Sequence, residues 1–180
     1  MLGNVTSKII GRVVVGVDGH PGSLEALRFA LGQARLHEAT LVPVLAWIPP
    51  GGEVAARRAP APSYTNLLRD HAQRSLLQAF EEGLGGLLHD VPVESWVVRG
   101  AAGPALVETA DRENDLLVVG AGRRGRLRHP LGASTARYCL AHAGCPVIAV
   151  PPPRLLAELP SQLRLRHSAG RLLEELTHSS

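Results

Sequence analysis

The densest chemistry in the chain lies between Val118 and Thr135, VVGAGRRGRLRHPLGAST. The apolar run Leu116 to Val119 leads into a loop of glycines and arginines, and then into a helix-like segment opened by Gly132, Ala133 and Ser134. Glycine lets backbone N–H groups come close to a ligand. A helix N-terminus favours anions, and arginine forks match phosphate oxygens. These residue types in this order point to a phosphate-bearing ligand, most simply a nucleotide.

Two familiar phosphate motifs fit the loop poorly. Gly120-Ala121-Gly122-Arg123-Arg124-Gly125 has the spacing G-x-G-x-x-G. A dinucleotide fingerprint, however, should follow the first strand, run straight into a long helix and meet an acidic ribose partner further on. Here it follows the fourth strand, and Pro130 delays the helix. A P-loop needs Lys-Ser/Thr after its last glycine, and this chain has Arg126-Leu127. The basic groups Arg123, Arg124, Arg126, Arg128 and His129 have two readings, phosphate binding by charge or a solvated basic loop. No aromatic interleaving supports nucleic acid.

The elements that must position this loop are legible from periodicity. Arg12 to Val17 reads as a buried strand, and Asp18 to Gly22 as a turn with Pro21 opening a helix. Leu24, Leu27, Leu31 and Ala34 share one helical face. Thr40 to Ile48 reads as a strand that Pro43 partly demotes, and Pro49 to Ser63 as a mobile surface loop. Asn66 to Leu84 is helical in pattern, with Leu67, Leu68, His71, Ser75, Leu76, Ala79 and Phe80 near one stripe. Val91 to Val98 is a third strand, and Gly103-Pro104 opens a short helix. Asp115 to Val119 is the fourth strand, Ala133 to Ala143 a helix, and Pro146 to Val150 the fifth strand. Such alternation predicts a three-layer α/β/α sandwich on a five-stranded parallel sheet, Rossmann-like in type. In such sheets ligands bind beyond the carboxyl ends of the strands, at a topological switch point. If the first and fourth strands are neighbours, the Asp18 turn and the Gly120 loop line one crevice.

Several of these segments resemble the universal stress protein (UspA) family. Val13-Val14-Val15-Gly16-Val17-Asp18-Gly19 is similar to its first strand and acidic turn. Gly100-Ala101-Ala102-Gly103-Pro104-Ala105 is similar to its glycine-proline segment. Asp115 to Gly120 and Cys145 to Val150 are similar to its last two strands. The resemblance covers about residues 10–151 and implies an adenine nucleotide alpha hydrolase-like fold and a homodimer, for which Pro146 to Val150 is a plausible pairing edge. Nucleotide-binding relatives share a G-x2-G-x9-G-[S/T] loop. Laid on this chain, its positions fall on Gly120, Arg123, Ala133 and Ser134, so the ends match and the middle departs, although Gly122 and Gly132 each sit one residue early. The resemblance implies ATP or a related adenine nucleotide, with Mg where triphosphate is bound. Val17, Asp18, Val44, Val119, Gly120, Gly122, Arg123, Gly125, Ala133, Ser134 and Thr135 are the candidate site. In it Asp18 is an adenine or ribose contact or a turn residue, and Val17 and Val44 are adenine walls or plain core. Ser134 and Thr135 donate to phosphate or cap a helix, two roles that are compatible.

Composition bounds the remaining classes. The chain has 180 residues, 45% hydrophobic and 3% aromatic, with a formal net charge of +3. That suits one domain, placed at 8–151, with an aliphatic core. Of the 19 basic Lys and Arg residues only Lys8 is a lysine, which we read mainly as compositional bias. Cys139 and Cys145 form no metal pattern and are expected to be reduced thiols. No signal-type segment opens the chain and no apolar run nears the roughly 18 residues of a membrane span, so a cytoplasmic, non-membrane protein is expected. No arrangement of Ser, His, Asp or Cys demands catalysis, and the expectation is at most slow ATP hydrolysis. An enzyme acting on a phosphorylated small molecule would lack a nameable nucleophile or base. Residues 152–180 read as a partly helical or disordered tail, or as a partner-binding segment. The rival function is a non-nucleotide interaction protein whose unknown protein partners meet the basic loop and the tail.

Overall fold

The elements run β1 (Arg12–Gly16), α1 (Pro21–Leu36), β2 (Thr40–Trp47), α2 (Gly52–Arg58), α3 (Pro62–Leu84), β3 (Trp96–Arg99), α4 (Ala102–Thr109), β4 (Asp115–Gly120), α5 (Thr135–His142) and β5 (Val147–Val150). The computed structural model describes residues 10–58, 62–86, 90–121 and 134–153. All strand pairs are parallel, in the order β3-β2-β1-β4-β5. The expected five-stranded parallel sheet is therefore observed, with β1 and β4 adjacent.

Alternation along the strands divides the core in two. Val13 and Val15 of β1, Leu41 and Leu45 of β2, and Leu116 and Val118 of β4 face α1 and α3. Val14, Val42, Val44, Leu117 and Val119 face Leu106 of α4 and Ala136 and Cys139 of α5. Because both faces are covered, β1 and β4 read as continuous apolar runs. Helix α1 starts at Pro21, after His20 in extended conformation, and buries Leu24, Ala26, Leu27, Ala30, Leu31 and Ala34. That is the stripe its periodicity predicts.

Four expectations need correction. Pro43 does not demote β2; it is fully buried in an interior strand. Leu41 donates its N–H to Pro92 O and accepts from Glu94 N–H, so its polar groups face the β3 side. Pro43, two residues on, faces the same side. There it lies between the isolated Leu41–Val93 bridge and the first ladder pair, Val44–Trp96. The missing N–H falls where the ladder is already interrupted, and β3 accordingly begins at Trp96 rather than Val91. The stretch from Pro49 to Ser63 is not all loop: it contains α2 and the first two residues of α3. Ala55 and Ala56 favour helix, while Glu53 in the first turn and Arg57 and Arg58 in the last suit the helix dipole. In α3 the buried stripe is Ala72, Leu76, Ala79, Phe80 and Gly83, and the earlier Leu67 and His71 are exposed. Residues 152 and 153 carry no helix or strand, and the expectation for the rest of the tail lies outside the described residues.

One polar cluster is buried at the amino ends of β1 and β4. Arg12 Nε donates to Asp115 Oδ1 at 2.9 Å, and its NH2 group donates to Asp115 Oδ2 at 2.7 Å. The same NH2 group reaches Thr109 O at 3.0 Å and Asp111 Oδ1 at 2.9 Å. Asp115 Oδ2 also accepts from Arg112 N–H at 3.0 Å. The pair links strands that are 103 residues apart in sequence. Removing one member strands the other in the core, which costs about 3 kcal/mol or more. Urea unfolding of Asp115→Asn should show that loss, and Arg12→Met with Asp115→Leu should recover most of it. A loss below about 1 kcal/mol in Asp115→Asn would show the pair to be energetically idle.

Candidate functional site

The order β2-β1-β4 makes the boundary between β1 and β4 the switch point of the sheet. From β1 the chain turns into α1 on one face. From β4 it proceeds to α5 on the opposite face. In sheets of this kind the segments that diverge at such a point leave room for a ligand, a crevice, beyond the carboxyl ends of the strands. The sequence places Asp18 on one wall and Gly120 and Ser134 on the other; the structure brings Gly120 against the first turn of α1, the helix that follows the Asp18 turn. A Cβ added to Gly120 would lie 3.0 Å from Gly22 O and 3.3 Å from Gly22 C. Any larger residue at 120 would press on the first turn of α1, so glycine here allows the approach of two backbones. Ala121 N–H then donates to Val150 O at 2.7 Å and carries the ladder past the end of β4.

The Asp18 turn is a closed hydrogen-bonded unit. Gly19 has φ +74°, which glycine adopts without strain. His20 N–H donates to Asp18 Oδ1 at 2.9 Å, as in an Asx-turn. Asp18 N–H donates to Ser23 Oγ at 3.2 Å, and Ser23 Oγ donates to His20 O at 2.9 Å. Ser23 is thus the pin of the turn, and sequence reasoning missed it. The signal was available as a hydroxyl at the third helical position, within reach of the backbone that enters the helix. The Asp18 side chain is still 66% exposed. Crowding by the turn pushes its pKa up, but the hydrogen bonds from His20 and Ser23 outweigh this, and the carboxyl sits below the usual aspartate value. Asp18 therefore builds the turn and keeps its carboxylate exposed just past the carboxyl end of β1.

The three valines are set deeper. Val17, Val44 and Val119 are 4%, 1% and 2% exposed. Val17 packs in the α1–α3 layer, and Val44 and Val119 pack in the α4–α5 layer. Val17 N–H donates to Val44 O at 2.9 Å. All three are packed core.

Ser134 precedes α5 at φ −53° and ψ 130° and accepts Tyr138 N–H at 2.9 Å through its carbonyl. Its hydroxyl makes no capping bond, and the first turn of α5 holds no acidic side chain. Ser134 is exposed and Thr135 is half-buried. Helix α5 is held in place through Gly103 of α4, where an added Cβ would lie 2.8 Å from the Tyr138 ring. Gly122, Arg123, Gly125 and Ala133, with the other basic groups of the loop, lie outside the described residues. Among the described residues no three His, Cys, Asp or Glu side chains come together as a metal site. No described helix is long and apolar enough to cross a membrane.

The chain is similar to known proteins over this same core. The model of the universal stress protein family matches residues 10–151. Universal stress protein Rv2624c of Mycobacterium tuberculosis is 31% identical over 137 residues, which cover 75% of this chain and 46% of the relative. The chain thus spans about half the length of the curated relative it matches. A universal stress protein crystallised in complex with cAMP is 28% identical, with a TM-score of 0.50, and the match covers 78% of this chain and 95% of that one. UspA from Lactobacillus plantarum shares the fold at 23% identity and a TM-score of 0.56, over 78% of this chain and 97% of its own. With its sheet order, its Asp18 turn and its Gly120 close approach, the chain belongs to the universal stress protein family.

Proposed function

We propose that this chain is a regulatory protein that binds ATP or a related adenine nucleotide in the crevice between Asp18 and Ser134. The observation that supports the reading is the close approach of Gly120 to Gly22 at the β1–β4 switch point, with Ser134, whose hydroxyl makes no capping bond, at the start of α5. The relative bound to cAMP supports the adenine nucleotide class. Asp18 accepts hydrogen bonds from ribose hydroxyls or the adenine amine. Ser134, Thr135 and the free N–H groups opening α5 donate to phosphate oxygens, and the arginines after Gly120 supply positive charge. Mg accompanying a triphosphate would be held mainly by the phosphates and water. Arginine at 123, where binders carry glycine, trades backbone approach for a cation.

Purified protein should release adenine nucleotide on denaturation, and apo protein should bind ATP saturably below millimolar concentration. Asp18→Ala and Ser134→Ala should each weaken binding about tenfold, the usual size of a hydrogen bond to a charged group. Because Asp18 titrates below the usual value of about 4, its contribution should hold from pH 5 to 8 and fall only in stronger acid. Arg123→Gly should preserve or strengthen binding. A loss there would make Arg123 a phosphate ligand. Absence of released nucleotide and of saturable binding would sink the reading in favour of a protein-interaction role.

A homodimer paired through β5 is the second part of this proposal. β5 ends the sheet, with no described strand beyond it, and Leu140 on the preceding helix is 60% exposed. Leu117 N–H donates to Pro146 O, so the even-numbered residues of β5 serve β4 and the N–H of Ala149 points outward. Ala149→Pro removes that outward donor and spares the β4 ladder. Sedimentation velocity should show a dimer for the parent chain and a folded monomer for Ala149→Pro. A dimer surviving that substitution would place the interface elsewhere.

A further inference from the structure

Helix α2 stands at the same end of the sheet as the crevice, beyond the carboxyl end of β2, the strand next to β1. None of its residues is buried, and Val54 is 65% exposed. Two consecutive glycines where it joins β2 are in the left-handed region, Gly51 in the link at φ +78° and Gly52, its first residue, at φ +79°. Gly52 N–H closes that turn onto Pro49 O at 2.8 Å. An apolar anchor is thus absent, and one polar clasp takes its place. Arg99, at the end of β3, donates from Nε to Glu53 Oε1 at 3.0 Å and from its NH2 group to Glu53 Oε2 at 3.0 Å. The same guanidinium lies over the Trp47 ring, 5.8 Å from its centroid. Trp47 and Arg99 are register partners of β2 and β3, so the seat of the clasp is rigid sheet, while the helix it holds buries no side chain and is clasped through Glu53.

We propose that α2 is a hinged latch, closed by Glu53 on the Arg99–Trp47 seat, that governs ligand exchange at the crevice. The exchange half rests on the nucleotide reading above; the latch itself does not. A bidentate pair fixes orientation as well as position. Both side chains are partly exposed, 38% for Arg99 and 40% for Glu53, so the clasp is weak and screened by salt. Segments held by few buried contacts open locally without global unfolding. The latch is therefore set to open often, and an anion competing for Arg99 opens it further.

Arg57 and Arg58 at the end of α2 supply a built-in readout, because trypsin cleaves after exposed arginine in an opened segment. Native-state cleavage after these two residues, followed by mass, should run about two- to fivefold faster in Glu53→Gln and in Arg99→Gln, the range of one exposed ion pair. The double variant should be no faster than either single one, since both remove the same contact. Raising NaCl to half molar should speed the parent chain and leave the variants unchanged. Equal rates, or singles whose effects add in the double variant, would overturn the latch. In parallel, release of a fluorescent mant-ATP should accelerate by the same factor in Glu53→Gln. Unchanged release beside altered cleavage would overturn the exchange role. Failure of mant-ATP to bind at all would overturn the nucleotide reading and the gating with it, while the cleavage cycle still decides the latch.

Discussion

The pairing of β1 with β4, locked by the buried Arg12–Asp115 contact, is the constraint on which the rest of the structure depends. These strands are far apart in sequence, and their register, Arg12 to Asp115 through Val15 to Val118, sets everything at their other ends. The guanidinium and carboxylate meet in two parallel bonds at the amino ends, a geometry that tolerates no slip. A shift of one residue would exchange the two apolar faces of each strand and bring a charge into the core. The lock contributes register rather than net stability, since buried ion pairs often do little better than apolar groups of the same volume.

With register fixed, the walls of the crevice follow from small residues. Gly120 lets the end of β4 pass against the first turn of α1, and Gly103 lets α4 pack against Tyr138 and so seats α5. The Asp18 turn is pinned by Ser23 and by the bond from His20 N–H, so its carboxylate is oriented by the chain itself. Such preorganisation reduces the ordering cost of association. Beyond the neighbouring strand, α2 is built on the opposite plan, with hinge glycines and a polar clasp in place of buried contacts.

Much of this was legible in the sequence because the strands are short apolar runs and the helices carry one clean stripe. The adjacency of β1 and β4 was only a condition there; nothing local in Arg12 or Asp115 declares a partner a hundred residues away. Pro43 misled because a rule about ladder donors cannot see that the neighbouring ladder is already broken at that point. Helix α2 was hidden because it buries nothing, so it leaves no hydrophobic period, and its evidence is only alanine content and charge placement. Asp18, Gly120 and Ser134 were singled out from residue type and order. Ser23 was not, since its role arises from a three-residue bond back to the turn. Val17, Val44 and Val119 show why an apolar residue near a strand end is ambiguous: the same residue type serves as the wall of a site or as plain core.

The central claim is that an adenine nucleotide lies across the carboxyl ends of β1 and β4. A crystal structure grown at saturating ATP tests it most directly. The account predicts electron density with the ribose or adenine within hydrogen-bond reach of Asp18 and phosphate oxygens at the Ser134–Thr135 start of α5. Nucleotide density elsewhere on the molecule, or an empty crevice at millimolar ATP, would contradict it.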